Sequence, residues 1–501
     1  GSLMLTSAWK SHTLAGLFVT FCVGCAHTNA LPRTDSAIVR SPASAPQVAG
    51  SSPPAGRSAV SNFVQPAAFK SADSGPVFVS KAIDAPSPET LPPPSASSLG
   101  ELEQLALDQN PQLRRLYQEY LALAARSRYV DKLPDPKIGV NVFGNPLETA
   151  AGSQRANLNV SQMLPWLGRL NAEQQSACFQ ALAARADFAA EQLRVVAEVR
   201  VGWYRLYVLD KQIETAKANQ SLLGSLTDIA NARIAAGAAS QGDVLAATLE
   251  LSQLEERLYA LQRQHSAVQA ELNRLTARPA NTPVAVANSL PPAPTPASFD
   301  TLRSAALAAQ PELAAAQLRT QATRWGVEVA KLNRRPDLML SANYYVTDDN
   351  RPPSNVVNVG QDPWAIGAQI SVPLGSEKYD AMRQEAGWRH LAAHNSADDL
   401  VNRYESRILD LLSEIQRANE TANLYDSTII PQARQTLRAD QAAYTNGTVE
   451  FDRVIRDYRN LLTLELGYHT AVGDRAIAFA RLCQAVGSDL IAANPLPYVG
   501  P

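Results

Sequence analysis

Cysteine is scarce in this chain, with four in 501 residues. Cys22, Cys25, Cys178 and Cys483 are too scattered for a disulfide framework, and no paired spacing suggests a zinc site. Cys178 and Cys483 read as small buried apolar groups. Charge of one sign is also lacking: Lys+Arg 45 against Asp+Glu 47 leaves a formal net charge of -2. No positive field exists to attract a phosphate backbone, so nucleic acid is not an expected partner. Long apolar runs are absent too, and a membrane-spanning helix is excluded by length. No nucleophile elbow, phosphate-binding Gly loop or paired catalytic carboxylates appear at recognisable spacing, so no enzyme and no cofactor are expected.

What is present begins with a short hydrophobic segment, Leu14 to Gly24, preceded by Lys10 and His12. Residues 1–25 read as a secretory signal. The segment ends in Val23-Gly24-Cys25, which resembles a bacterial lipobox with Cys25 as the acylated residue; the alternative is ordinary cleavage near Ala30. Residues 26–98 hold 12 of the 33 prolines and show no sustained period, the composition of a tether or surface-wrapping arm.

A second proline cluster, residues 291–298, divides the rest into similar halves, 99–290 and 299–490, followed by a tail, 491–501. The halves repeat each other. Asn110-Pro111 matches Gln310-Pro311, Leu133-Pro134 matches Arg335-Pro336, Gln162-Met-Leu-Pro165 matches Gln369-Ile-Ser-Val-Pro373, and Gly237 matches Gly447. Each half reads helix, hairpin, long helix, tight turn, long helix. The strands are Lys137 to Phe143 with Arg155 to Met163, joined by a loop from Pro146 to Gln154, and Asp337 to Val346 with Trp364 to Val372. Ile138, Val140 and Val142 alternate with polar or small residues, as do Leu158 and Val160, giving one apolar and one polar face.

The helices carry heptad stripes. Val195, Val199, Gly202, Leu206, Leu209 and Ile213 form one; Leu254, Leu258, Leu261, His265, Val268 and Leu272 another; Val401, Tyr404, Ile408, Leu411, Ile415 and onward to Ile429 a third. A 3.5 repeat forces a left-handed supercoil with each stripe facing a neighbouring helix. At 1.5 Å per residue, a helix from Leu167 to Arg233 is roughly 100 Å long. Four short strands cannot close a barrel, and open edges are not tolerated in lipid, so several copies must pool their strands. Apolar faces toward lipid and polar faces toward water then make a pore continued by a helical tube.

This ordered set, with Asn110-Pro111, Gln162-Met-Leu-Pro165, Arg233-Ile-Ala-Ala-Gly237 and Tyr444-Thr-Asn-Gly447-Thr448, resembles the TolC family of outer-membrane efflux channels over about residues 99 to 490. The Leu-Pro-Asp-Pro and Gln-Met-Leu-Pro-Trp-Leu-Gly-Arg segments resemble the branch serving heavy-metal cation exporters. The resemblance implies a mainly α fold with a membrane β-barrel: a homotrimer whose two hairpins per copy form a twelve-stranded barrel, continued by an α-barrel of long antiparallel coiled-coil helices. It implies a passive duct in the outer membrane, in contact with its lipid. The expected partners are a periplasmic adaptor (membrane fusion) protein and an inner-membrane transporter of the RND or ABC type. Drug or type I protein export is the alternative cargo reading. A periplasmic coiled-coil scaffold lipoprotein without a pore is the rival from another class.

At the helix tips, Gly237, Ala238, Ser240, Gly447 and Thr448 are the implied adaptor contacts, although a plain turn accounts for the glycines equally. Asp243, Asp452, Arg453, Arg456 and Asp457 are the candidates for the periplasmic aperture. The family often places acids there; arginines at 453 and 456 suggest Asp–Arg locks between helices instead, or merely solvated surface charges. His390 and His394 stand four apart on one helical face, a weak metal pair, and His265 reads as a helix-interface residue. Tyr344, Tyr345, Trp364 and Trp166 lie at strand ends, where membrane-interface anchoring is expected, core packing being the alternative for Trp166.

Overall fold

The computed structural model describes residues 98–490 apart from 151, 291–293, 349–354, 356 and 358. The signal segment, Cys25, most of the proline-rich arm and the C-terminal tail lie outside the described residues.

Each half opens with a pair of helices meeting at a corner. Ser98 closes a capping box with Glu101 at the start of α1 (Leu99–Gln109). Asn110 then ends α1 and starts α2 (Pro111–Tyr129): its side chain accepts the Gln112 and Leu113 N–H groups and donates to the Leu275 carbonyl at 3.0 Å. Proline at the first helical position sacrifices no hydrogen bond there. In the second half Gln310 stands between α5 (Phe299–Ala309) and α6 (Pro311–Leu332) and donates to the Gln484 carbonyl at 2.9 Å. Both corners are thereby fastened to the last long helix of their own half.

Between these helices and the tips run α3 (Arg169–Ala235) and α4 (Gln241–Leu275) in the first half, α7 (Ser376–Leu424), α8 (Ile430–Thr445) and α9 (Phe451–Val486) in the second. The 67 residues of α3 form one unbroken helix close to the span expected from its stripe. Its partner in the second half is interrupted by a π-helical turn, Tyr425–Ile429, just ahead of Pro431, where the expected stripe ran on without a break. Proline has no N–H for the α-ladder, and the Ile430 N–H reaches back five residues to Tyr425.

The stripes are the core. Leu209, Leu223, Leu254, Leu261, Leu437, Tyr458 and Leu466 bury one another where α3, α4, α8 and α9 run together. Val195, Val199, Leu206 and Leu272 pack on α1 and α2, and Ile408, Leu411, Ile415 and Leu482 on α5. Gly473 lets α9 approach α3 so closely that a Cβ there would stand 2.1 Å from Val208 Cγ2. Cys483 is buried as expected, but Cys178 is exposed because α3 turns that position away from its neighbours.

Four antiparallel strands make one sheet in the order β1 (Lys137–Thr149), β2 (Gly152–Leu164), β3 (Asp337–Asp348), β4 (Trp364–Ser371). The expected loop from Pro146 to Gln154 is instead mostly strand: β1 continues past an irregularity between Val142 and Leu147, and proline is tolerated at 146 because it falls within that irregularity, where the ladder with β2 is interrupted. Gly152 (φ 138°) permits the tight return, where a Cβ would meet the Asp348 carbonyl at 2.2 Å.

Candidate functional site

The sheet and the helix tips are the two candidate sites. Register puts Val140, Leu158, Tyr344 and Trp364 in one row and Ile138, Val160, Ala342 and Ile366 in the next, all on one face. That face is open: Ile138 is 75% exposed, Val142 78% and Ile366 77%. The opposite face carries Asn141, Asn157, Asn159, Asn343, Ser161 and Ser341. Among the described residues β1 and β4 each pair on one side only. The sheet therefore presents an uncovered apolar surface with two free hydrogen-bonding edges, which water tolerates poorly and lipid demands be closed. Among the described residues no helix is long and apolar enough to cross a membrane.

Tyr344 and Trp364 share the apolar face, as interface anchoring requires, whereas Tyr345 lies in the row of Asn141 and Asn157 on the polar face. Trp166, just past β2, has the Arg335 guanidinium 5.8 Å from its ring centroid.

At the tips, two five-residue turns have the same build. Gly237 (φ 69°) and Gly447 (φ 78°) take the left-handed conformation. In the first turn the Ala238 N–H bonds the Arg233 carbonyl and the Gly237 N–H bonds that of Ile234; in the second, Thr448 bonds Ala443 and Gly447 bonds Tyr444. Both are Schellman closures that satisfy the last carbonyls of the incoming helix. Side chains then tie the turns together. Arg233 donates to the Ala238 carbonyl at 2.8 Å and to the Tyr444 carbonyl, and its guanidinium lies 4.3 Å from the Tyr444 ring centroid. The Tyr444 hydroxyl donates to Asp243 at 2.9 Å, and Ser240 donates to the other Asp243 oxygen at 2.8 Å. Burial, with the Asp243 carboxylate beside it, pushes the Tyr444 phenol up to about 12.

Of the aperture candidates, Asp243 thus bridges the two turns. Arg453 pairs across helices with Asp440 of α8 at 2.8 Å, and Asp452 pairs within α9 with Arg456 at 3.4 Å. Asp457 stands beside the buried Asp440. Burial first, then the Asp440 carboxylate, pushes the Asp457 carboxyl up to about 6, while the hydrogen bond from Asp457 and then Arg453 hold Asp440 below the usual range. Further along, Arg459 of α9 reaches the buried Glu250 of α4 at 2.6 Å. Asp440 and Glu250 escaped the sequence reading of this region, and Arg233 and Tyr444 entered it only as parts of the tip motifs with no contact assigned, because their partners lie on helices whose alignment only folding fixes.

The histidines are engaged individually: His390 with Thr323 at 3.3 Å, His394 with Asp398 at 3.0 Å and His265 with Asp210 at 3.0 Å. Among the described residues no three His, Cys, Asp or Glu side chains gather as a metal site.

Known proteins share this architecture. The family model described as outer membrane efflux protein matches residues 102–278 and 302–488. The alkaline protease secretion protein AprF of Pseudomonas aeruginosa is 26% identical over 337 residues, 63% of this chain and 67% of its own length. The outer membrane protein VceC of Vibrio cholerae superposes with a TM-score of 0.65 at 19% identity, over 78% of this chain and 96% of that one. CusC, described in terms of folding and transmembrane channel formation, superposes with a TM-score of 0.66 at 17% identity, over 78% of this chain and 92% of that one. With both halves matched, the chain belongs to the outer membrane efflux protein family, as a TolC-like exit duct of the outer membrane and not an enzyme.

Proposed function

We propose that three copies of the chain join their sheets edge to edge into a twelve-stranded barrel, apolar face to lipid and polar face to a water-filled lumen, and that the helices extend it as a periplasmic tube. The observation that carries this reading is the exposed apolar face bounded by the free edges of β1 and β4. Closure by neighbouring copies satisfies both edges and covers no part of the lipid face. The two halves, alike in their order of elements and in their corner and tip chemistry, act as an internal twofold repeat, so the tube has six near-equivalent tips. Gly237, Ala238, Ser240, Gly447 and Thr448 are the contact for a periplasmic adaptor protein. An inner-membrane transporter supplies the energy through that adaptor. Asp243, Asp452, Arg453, Arg456 and Asp457 border the periplasmic aperture, and acylation of Cys25 adds a lipid anchor.

The cargo reading is efflux of metal cations or small toxic compounds, in line with the resemblance of the strand-flanking motifs to heavy-metal exporters. A second reading, protein export beside an ABC-type transporter, is favoured by the similarity to AprF, itself a protease secretion protein. Purified protein should be trimeric in detergent and should give discrete conductance steps in planar bilayers. A monomer without conductance would sink the barrel. Complementing a channel-deletion host, challenged in parallel with metal salts, drugs and a secreted protease, separates the cargo readings.

A further inference from the structure

The polar face of the sheet offers mostly amides and hydroxyls, represented by Asn141, Asn157, Asn159, Asn343, Ser161 and Ser341. Such groups donate and accept hydrogen bonds and discriminate little between cations and anions. The register adds two charged side chains to this face, Lys137 in the row of Ser161 and Ser341, and Asp337 opposite Ser371. Asp337 is already neutralised: Arg169 donates to it at 3.0 Å and the Trp166 N–H at 3.1 Å. Lys137 is exposed, and among the described residues its ammonium has no ion-pair partner. Asp135 precedes the strand between Pro134 and Pro136, outside the ladder.

We propose that Lys137 determines charge specificity in the membrane segment of the duct. The inference rests on the barrel reading above and weighs against bare metal cations as cargo: each copy then contributes one unpaired ammonium to a ring on a lumenal face whose Asp337 is already paired with Arg169, and that ring favours anions over cations. An unpaired charge projects its potential into water over a Debye length, about 10 Å at 0.1 M salt and about 30 Å at 0.01 M, so the ring governs more of the lumen as salt falls. A lysine on an edge strand also serves simply to deter unwanted pairing, a role that leaves ion permeation untouched.

The test uses the full chain in planar bilayers under a KCl gradient, with the chloride-to-potassium permeability ratio read from the reversal potential. Lys137→Gln should lower that ratio about twofold and Lys137→Glu should invert it, with larger effects at about 0.01 M than at about 0.1 M salt. Asn159→Glu, on the same face one row away, calibrates what a lumenal carboxylate does. If Asn159→Glu shifts the ratio and both Lys137 variants leave it unchanged, Lys137 only guards the edge and the inference is overturned. If none of the three shifts it, the polar face does not line the lumen, and the barrel reading falls together with the inference.

Discussion

Tyr444 is the residue on which the tip network converges, its carbonyl and ring held by Arg233 and its hydroxyl by Asp243. Tyr444→Phe keeps the packing and removes one hydrogen bond, a loss of about 1 kcal/mol at a buried site. Amide hydrogen exchange in both turns should accelerate together, because Asp243 would lose its link to the second turn; faster exchange in one turn alone would contradict the coupling. Asp457 makes the same region sensitive to acidity. With its folded value raised to about 6, the carboxyl is protonated in mild acid, and the stability it contributes is lost as pH rises through that value. Asp440, shifted the other way, loses its contribution only as pH falls through the ordinary aspartate range and below. The α8–α9 hairpin should therefore be better protected near pH 5 than near pH 7, and Asp457→Asn should flatten that difference. An unchanged profile in the variant would show that another group titrates.

Long elements were the most legible part of the sequence. A stripe without proline from Val195 to Leu223 has only one regular solution, and α3 takes it. The π-helical turn was not legible, because Pro431 announces a break without saying whether the chain kinks, ends or inserts a residue; contact with α9 decides. Tyr425 lies over Gly467, where a Cβ would come within 3.3 Å of its ring. Gly473 is the comparable contact between α9 and α3. Gly473→Val should overpack that seam and cost about 1–3 kcal/mol, seen as a lower thermal midpoint in detergent. At Gly224, where nothing lies within 4 Å of an added Cβ, alanine should be neutral or slightly stabilising.

On the scale of the whole molecule, the two faces of the sheet should respond oppositely to charge. Val140→Arg places a cation on the apolar face, at about 2–4 kcal/mol per copy if it sits near the bilayer midplane. Recovery in the outer-membrane fraction should fall sharply, whereas Asn159→Asp on the polar face should be recovered at near-normal levels. Equal recovery of the two variants would show that lipid does not contact the apolar face.

The sequence by itself determined the elements and their order, because heptad spacing, strand alternation and the glycine and proline positions act over a few residues at a time. It also placed the corners at Asn110 and Gln310 and the turns at Gly237 and Gly447. Tertiary structure alone decided which distant groups meet: β2 beside β3 in one sheet, Arg233 on Tyr444, Arg453 on Asp440 and Arg459 on Glu250. The physical reason is that a stripe specifies which face of a helix is buried but leaves its partner and register open, and a charge at the rim of a stripe acquires its function only when a second helix settles beside it.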